Sequence, residues 1–386
     1  MSLLASRRTL AAASSLLLAA IGLTGCLSLP GGAGGSKSSD IASMKNIPEG
    51  IKRDLINQMN SASGAEKNKI IEKANALNNM VGAQLTDSLK ATLLPQHAFK
   101  TIPPGNYSGL AYLGNDLYAV VSDKGGRAGF YTFRIMLNTK GEIMQISNQG
   151  FTELPGINQD EEAIAYDSVR HHLYIGNEAS AEIIDYDQEK HLVVRKTMVE
   201  DYRRYARVNR GIESLTYDGV RQKLFTINES PLVTDNGLLL RLKQFNMHLD
   251  EEKQYSYLID APLEDPSKTD LRHAYGVSEL AALSDGTLLV LEREVYIRPL
   301  FLNSWVMNKL FRIKLGNPRK QFVVGWRTWL RLGDIDFANY EGMCEGPSLP
   351  DGRRVIVLCA DSQDRAKGVL KDYFRTIVVE PCQEEK

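Results

Sequence analysis

Four glutamates, Glu162, Glu213, Glu279 and Glu341, each open a short apolar run, in "EAIAYD", "ESLTYD", "ELAALS" and "EGMCEG". A fifth segment, "SGLAYL", puts Ser108 in the same place. Each run is followed by a second that ends on another acid: Asp123, Glu178, Glu229, Glu294 and Asp361. Acids that recur at one place in a repeat can converge on a single point. Carboxylates brought together repel unless some are protonated or a cation sits among them. Calcium suits such a set, because it takes about six to eight oxygen ligands in flexible geometry.

The expected metal ligands are therefore Glu162, Glu213, Glu279 and Glu341, with Asp123, Glu178, Glu229 and Asp361 in a second, more exposed ring. The same four glutamates are the candidates for activating water. Cations lie beside the acids: Lys124 and Arg127 follow Asp123, Arg210 precedes Glu213, Arg272 and His273 precede Glu279, and Arg293 sits between Glu292 and Glu294. Lys124, Arg127, Arg210 and Arg293 are placed to hold a small anionic ester or phosphate, or else to form salt bridges with the acids. No G-x-S-x-G elbow, P-loop or H-E-x-x-H stretch is present, and six histidines leave a Ser/His mechanism little to use.

The elements that must position these acids follow from their spacing. The repeat starts lie 54, 51, 66 and 62 residues apart, room for a four-stranded antiparallel unit each time. The second unit shows its four strands plainly in "EAIAYD", "HLYIGNE", "AEIIDYD" and "HLVVRKTMV". Such units in series predict an all-β fold, a β-propeller. Five blades follow from the count, or six if the long fourth unit merges strands. The last unit has three clear strands, and "HAFKTI" from His97 is expected to supply its fourth, closing the ring without a free sheet edge.

Within the last unit, Asp351-Gly352 suits a two-residue hairpin turn, which would set Cys344 opposite Cys359. A Cys344–Cys359 bridge, a Cys359–Cys382 bridge and three free thiols all fit the sequence. None of these cysteines has CxxC or Cys/His spacing, so zinc and thiol catalysis find no support. The apolar stretch "VYIRPLFLNSWVMNKLF", from Val295 to Phe311, is expected to interrupt the fourth blade as a loop around Trp305, and to be partly core, a lid on the channel mouth, or a contact for lipid or a partner.

The N-terminal quarter, residues 1–95, has another organisation. Arg7 and Arg8 precede an apolar run from Leu10 to Ile21, and Leu23-Thr24-Gly25-Cys26 resembles a bacterial lipobox. Residues 1–26 are read as a lipoprotein signal peptide with Cys26 lipidated; an ordinary signal peptide and an uncleaved anchor are the alternatives. No aspartate follows Cys26, which favours the outer membrane, facing the periplasm. Residues 27–47 read as a flexible tether containing "PGGAGGSKSS". Residues 48–95 carry a helical pattern, expected to pack on the following domain, 96–386, or on a protein partner. A formal net charge of −1 with 24% charged residues argues against nucleic acid as a partner.

"DEEAIAYD", "NRGIESLTYD", "GVSELAALSDGTLLVLEREV" and "YEGMCEGPSLPDGRRVIVLCADSQ" together resemble the phytase-like family of bacterial propellers, described as having esterase-like activity of phytase. The resemblance covers roughly residues 97–381. It implies an exported propeller similar to calcium-dependent phytases, which hydrolyse phosphate monoesters with calcium ions held in an acidic channel. "DEEAI", from Asp160, is similar to the D-D-P-A stretch of those enzymes but has no proline. Two readings follow: a metal-dependent esterase or phosphoesterase, and a non-catalytic envelope binding or scaffold propeller.

Overall fold

A computed structural model describes residues 38–42, 49–64, 66–68, 70–71, 74, 89–123, 126–157, 159–208, 210–235, 237–264, 273–317 and 319–380. Cys26, Lys124, Arg272 and Cys382 lie outside the described residues, as does the tether apart from residues 38–42.

Ahead of the sheets lie α1 (Ser38–Ala42) and α2 (Glu49–Ser61), and residues 64, 66–68, 70–71 and 74 are helical as well. Ile41, Leu55, Met59 and Ala74 are buried together and pack against Leu238 and Leu258 of the third blade. These described apolar residues thus pack on the propeller. The segment ends earlier than its leucine spacing predicts: β1 (Ala91–Leu93) is strand, followed by β2 (His97–Ala98).

Five sheets follow. Blade I is β3 (Tyr107–Gly114), β4 (Leu117–Ser122), β5 (Gly129–Leu137) and β6 (Ile143–Glu153). Blade II is β7 (Glu161–Asp167), β8 (His172–Asn177), β9 (Glu182–Asp187) and β10 (Leu192–Met198). Helix α3 (Glu200–Tyr205) leads to blade III, β11 (Thr216–Asp218), β12 (Lys223–Ile227), β13 (Leu239–Phe245) and β14 (Glu251–Leu258). Blade IV is β15 (His273–Ala282), β16 (Leu288–Tyr296), β17 (Ser304–Ile313), β18 (Lys320–Arg331) and the short β19 (Asp334–Ile335). Blade V is β20 (Asn339–Ser348), β21 (Arg354–Asp361) and β22 (Tyr373–Val379), completed by β1 and β2, which pair with β22.

This is a five-bladed propeller closed by its N-terminal strands. His97 and Ala98 pair with Phe374 and Tyr373 as the "HAFKTI" reading expects, and Ala91–Leu93 extends the seam along Ile377–Val379.

The tight hairpins have a visible cause. In "YDSVRHH", "YDQEKHL" and "YDGVRQK" the aspartate accepts backbone N–H bonds from residues two and three further on: Asp167 from Val169 and Arg170, Asp187 from Glu189 and Lys190, Asp218 from Val220 and Arg221. The chain then turns through left-handed His171, His191 and Gln222. Apolar side chains of the two middle strands fill the space between blades. Tyr118, Phe133, Val357 and Phe374 do so between blades I and V, and Phe225, Leu242, Val277 and Val290 between III and IV.

Two expectations about the later blades are corrected. Ser348 pairs with Arg354 across a turn in which Gly352, with φ of +84°, donates to the Leu349 carbonyl, so Asp351-Gly352 is not a two-residue hairpin. Bulges on either side shift the register, and Cys344 faces Val357 while Cys359 faces Gly342. Both thiols are free. The stretch around Trp305 is not a lid either: Val295 and Tyr296 end β16, Ser304–Ile313 is β17, and only the tip between them, residues 297–303, is loop.

Candidate functional site

The inner strand of every blade carries a bulge near its start. In blade I, Tyr107 pairs with Ser122 and Gly109 with Val121, leaving Ser108 extra. Blade II leaves Glu162 between Glu161 and Ala163, blade IV leaves Ser278 between Val277 and Glu279, and blade V leaves Glu341 between Tyr340 and Gly342. In blade III, where Ile212 bridges Asn228, Glu213 takes the same place. A bulge re-aims the extra side chain out of the pleat. The first ring is therefore Ser108, Glu162, Glu213, Ser278 and Glu341.

On the second strand, the residue that follows the partner of the position just before each bulge gives the other ring: Asp123, Glu178, Glu229, Arg293 and Asp361. Blade IV thus departs from expectation at both levels by one residue. Glu279 gives up its ring place to Ser278, and Glu294 gives up its place to Arg293. Glu294 instead accepts backbone N–H bonds from Leu263 and Glu264 and lies 2.8 Å from His273 Nε2.

The two rings form one electrostatic unit. Burial, then Asp123, Glu213, Glu178 and Glu341, push the Glu162 carboxyl well above its usual range. Burial and Glu229 do the same to Glu213, opposed by Arg293. Asp361 is pushed up to about 8 by burial and by Glu341, and Glu161, behind the ring, to about 7, chiefly by burial. Arg293 is the counterweight. It bonds Glu341 and Asn339 of blade V and stands 3.0 Å from Glu229 Oε1 of blade III, which also accepts from Arg210 at 2.9 Å.

On the opposite side of the mouth no such cation is present among the described residues. There Asp123, Asp160 and Glu162 bring carboxylate oxygens within 4.8 Å of one another. Asp160 holds φ of +114°, a conformation uncommon for a non-glycine residue. Among the described residues Glu162 and Glu213 accept no hydrogen bond, although Glu162 is 7% and Glu213 8% exposed. An all-oxygen donor set without histidine or thiolate fits a hard divalent cation.

Other residues expected at the site lie elsewhere. Arg127 is exposed, 3.6 Å from Glu153 and over the Phe151 ring. Arg210 and Arg293 reach the acids but are bound to them. Glu178 accepts from the Gly211 N–H at 2.8 Å, tying blade II to blade III. Asp160 is the residue that the repeat comparison misses; the triplet Asp160-Glu161-Glu162 was its only signal.

Below the rings the axis narrows. A Cβ on Gly109 would stand 3.0 Å from the Ala163 Cα, so blades I and II meet backbone to backbone. Glu279, fully buried, crosses from blade IV to accept the Leu215 and Leu280 N–H groups, and burial drives its carboxyl well up. Beyond it the channel reopens into a cavity of about 370 Å3 lined by all five inner strands, including Tyr112, Tyr166, Tyr217 and Glu345.

A family model described as "Phytase-like: Esterase-like activity of phytase" matches residues 102–363, which takes in every ring residue. The chain belongs to this family. No curated protein matches the sequence. Among solved structures, the chain is similar to hydrazine synthase of Kuenenia stuttgartiensis, at 12% identity over 72% of this chain and 88% of that one, with a TM-score of 0.35. A luciferin-regenerating enzyme matches at 10% identity over 75% and 96%, TM-score 0.39. A chain of a nidogen/laminin complex matches at 12% over 73% and 88%, TM-score 0.34.

Proposed function

We propose that this phytase-like propeller is a calcium-dependent hydrolase of small anionic esters, phosphate monoesters foremost, working at the acidic mouth of its channel. The observation that carries the reading is the Asp123–Asp160–Glu162 cluster, three carboxylates within 4.8 Å beside the unbonded Glu213. Asp123, Asp160 and Glu162 would hold the cation, with the Glu213 and Asp361 carboxyls in the same electrostatic cluster. A bound calcium would cancel the mutual repulsion of the ring, attract an ester oxygen and lower the pKa of a coordinated water. Burial and neighbouring charge raise the Glu162 and Glu213 carboxyls well above the usual range, a repulsion that bound calcium would relieve, and Glu213 would take the proton of that water. Arg293 fixes Glu229 and Glu341 and keeps the blade IV side of the mouth from adding negative charge.

In this reading the protein works at the cell envelope, carried by a lipid on Cys26 and facing the periplasm. A non-catalytic binding propeller is the second reading. It is favoured by one observation: Arg210 and Arg293, the cations that reach the mouth among the described residues, are committed to Glu229 and Glu341.

Calorimetric calcium titration, paired with turnover of a generic phosphate monoester before and after chelation, separates the readings. Saturable binding with chelator-sensitive turnover supports the hydrolase. Binding without turnover supports the second reading, and no binding by folded protein removes both roles for calcium.

A further inference from the structure

The upper end of blade IV carries a surface that the acidic site does not use. The tip between β16 and β17 exposes three consecutive apolar side chains, Leu300 at 87%, Phe301 at 50% and Leu302 at 39%, and Leu332, in the turn after β18, is 84% exposed. The two loops are neighbours, because Asn303 donates its N–H to the Leu330 carbonyl at 2.8 Å. Soluble surfaces seldom group large apolar side chains this way without a use for them.

Cations and aromatic rings alternate directly behind the tip. Arg298 lies over Tyr296 at 5.7 Å, Tyr296 packs on Trp305, Arg327 lies over Trp305 at 4.4 Å, and Arg331 over Trp329 at 3.8 Å. The strand register accounts for this ladder, since Tyr296, Trp305 and Trp329 are successive cross-strand partners. Arg298, Arg327 and Arg331 are exposed, and among the described residues none is ion-paired. Three guanidiniums around an apolar tip, unpaired among the described residues, complement a negatively charged apolar surface. Leucine and phenylalanine enter acyl chains, tryptophan sits at the headgroup level, and arginine answers anionic headgroups.

We propose that this tip docks on the surface of a bilayer containing anionic lipid. Phe301 and its neighbours enter the acyl boundary, and Arg298, Arg327 and Arg331 contact the headgroups. The orientation follows from the chain. Arg293, in the acidic ring, precedes Tyr296 by three residues on the same strand, so the tip projects from the propeller face that bears the acidic mouth. Docking therefore turns that mouth toward the lipid. The inference rests on blade IV alone and stands or falls independently of hydrolysis.

The chain reports on itself, because its three tryptophans, Trp305, Trp326 and Trp329, all lie in blade IV. The full chain would be reconstituted into vesicles of phosphatidylcholine and phosphatidylglycerol, with and without bromine on the acyl chains. Bromine-dependent loss of tryptophan emission is expected, weaker at high salt and absent when phosphatidylglycerol is omitted. Arg327→Glu with Arg331→Glu should lower the docked population by about tenfold per reversed charge. Phe301→Asp with Leu302→Asp should abolish the quenching with thermal unfolding unchanged, since these side chains are exposed.

Absence of quenching in the parent, or quenching that survives either double variant, overturns the proposal. So does sedimentation showing that the tip is covered by a second copy of the chain in a dimer that the same variants dissociate.

Discussion

Arg293 joins two blades that do not touch in sequence: one guanidinium nitrogen stands 3.0 Å from Glu229 Oε1, and the other bonds the Glu341 carboxylate 48 residues further on. Burial works against its charge, but Glu341, Glu229 and Glu213 outweigh that and hold it protonated. Removing one member of a buried pair leaves the others uncompensated, at about 3–5 kcal/mol. Arg293→Gln is expected to lower the urea midpoint by a loss of that order, and calcium should restore more stability to the variant than it adds to the parent.

Blade IV's one-residue offset separates two glutamates that look alike in sequence. Glu213 faces the carboxylate cluster, whereas Glu279 is tied to the Leu215 and Leu280 amides below it. Glu213→Gln is expected to weaken calcium binding by tenfold or more, about 1.4 kcal/mol. Glu279→Gln, replacing a carboxyl that burial already drives toward neutrality, should stay within about twofold of the parent. Calorimetry on both variants checks the ring assignment directly.

Acid should stabilise the metal-free protein. Glu161 is raised to about 7 and Asp361 to about 8, so between their ordinary values and these the folded state binds more protons than the unfolded one. Through these two groups stability falls as pH rises from about 4.5 to about 8. Thermal unfolding in chelator across that range is expected to show a declining midpoint, and saturating calcium should flatten the upper half of the curve.

Gly276 is where blade IV begins against blade III. A Cβ there would lie 2.1 Å from the Glu229 carbonyl oxygen, which also accepts the Val277 N–H at 3.0 Å. Gly276→Ala is expected to cost about 1–3 kcal/mol as overpacking and to move Glu229 relative to Arg293. Its calcium affinity should fall although no ligand has changed, which calorimetry and a denaturant melt on one preparation would show together.

The blades were legible because alternation and turn aspartates state a strand's length and end locally, as in "HLYIGNE" or "YDSVRHH". Ring membership was legible in blades II, III and V, where the bulge falls on a glutamate. It was not legible in blade IV, where "VSEL" puts serine at the bulge and glutamate beside it. A bulge adds one residue to one strand and leaves composition and alternation nearly intact. The same blindness set Cys344 opposite Cys359, and the apolar content of 295–311 hid a hairpin whose two strands pair within one blade. Asp160 lies one step outside the repeat and is drawn in by backbone conformation, which spacing does not encode.

The seam between β1 and β22 sets the order in which the molecule can become itself. Ala91 is made almost three hundred residues before its partner Val379, so four blades can collapse while the fifth waits for both ends of the chain. Pairings of such long sequence separation are the slow ones, because the loop must close before any contact rewards it. Until then blade V offers the open edge of β22 to other chains. The ring therefore stays unfinished until β22 has been made, and the meeting of that strand with β1 decides whether it shuts.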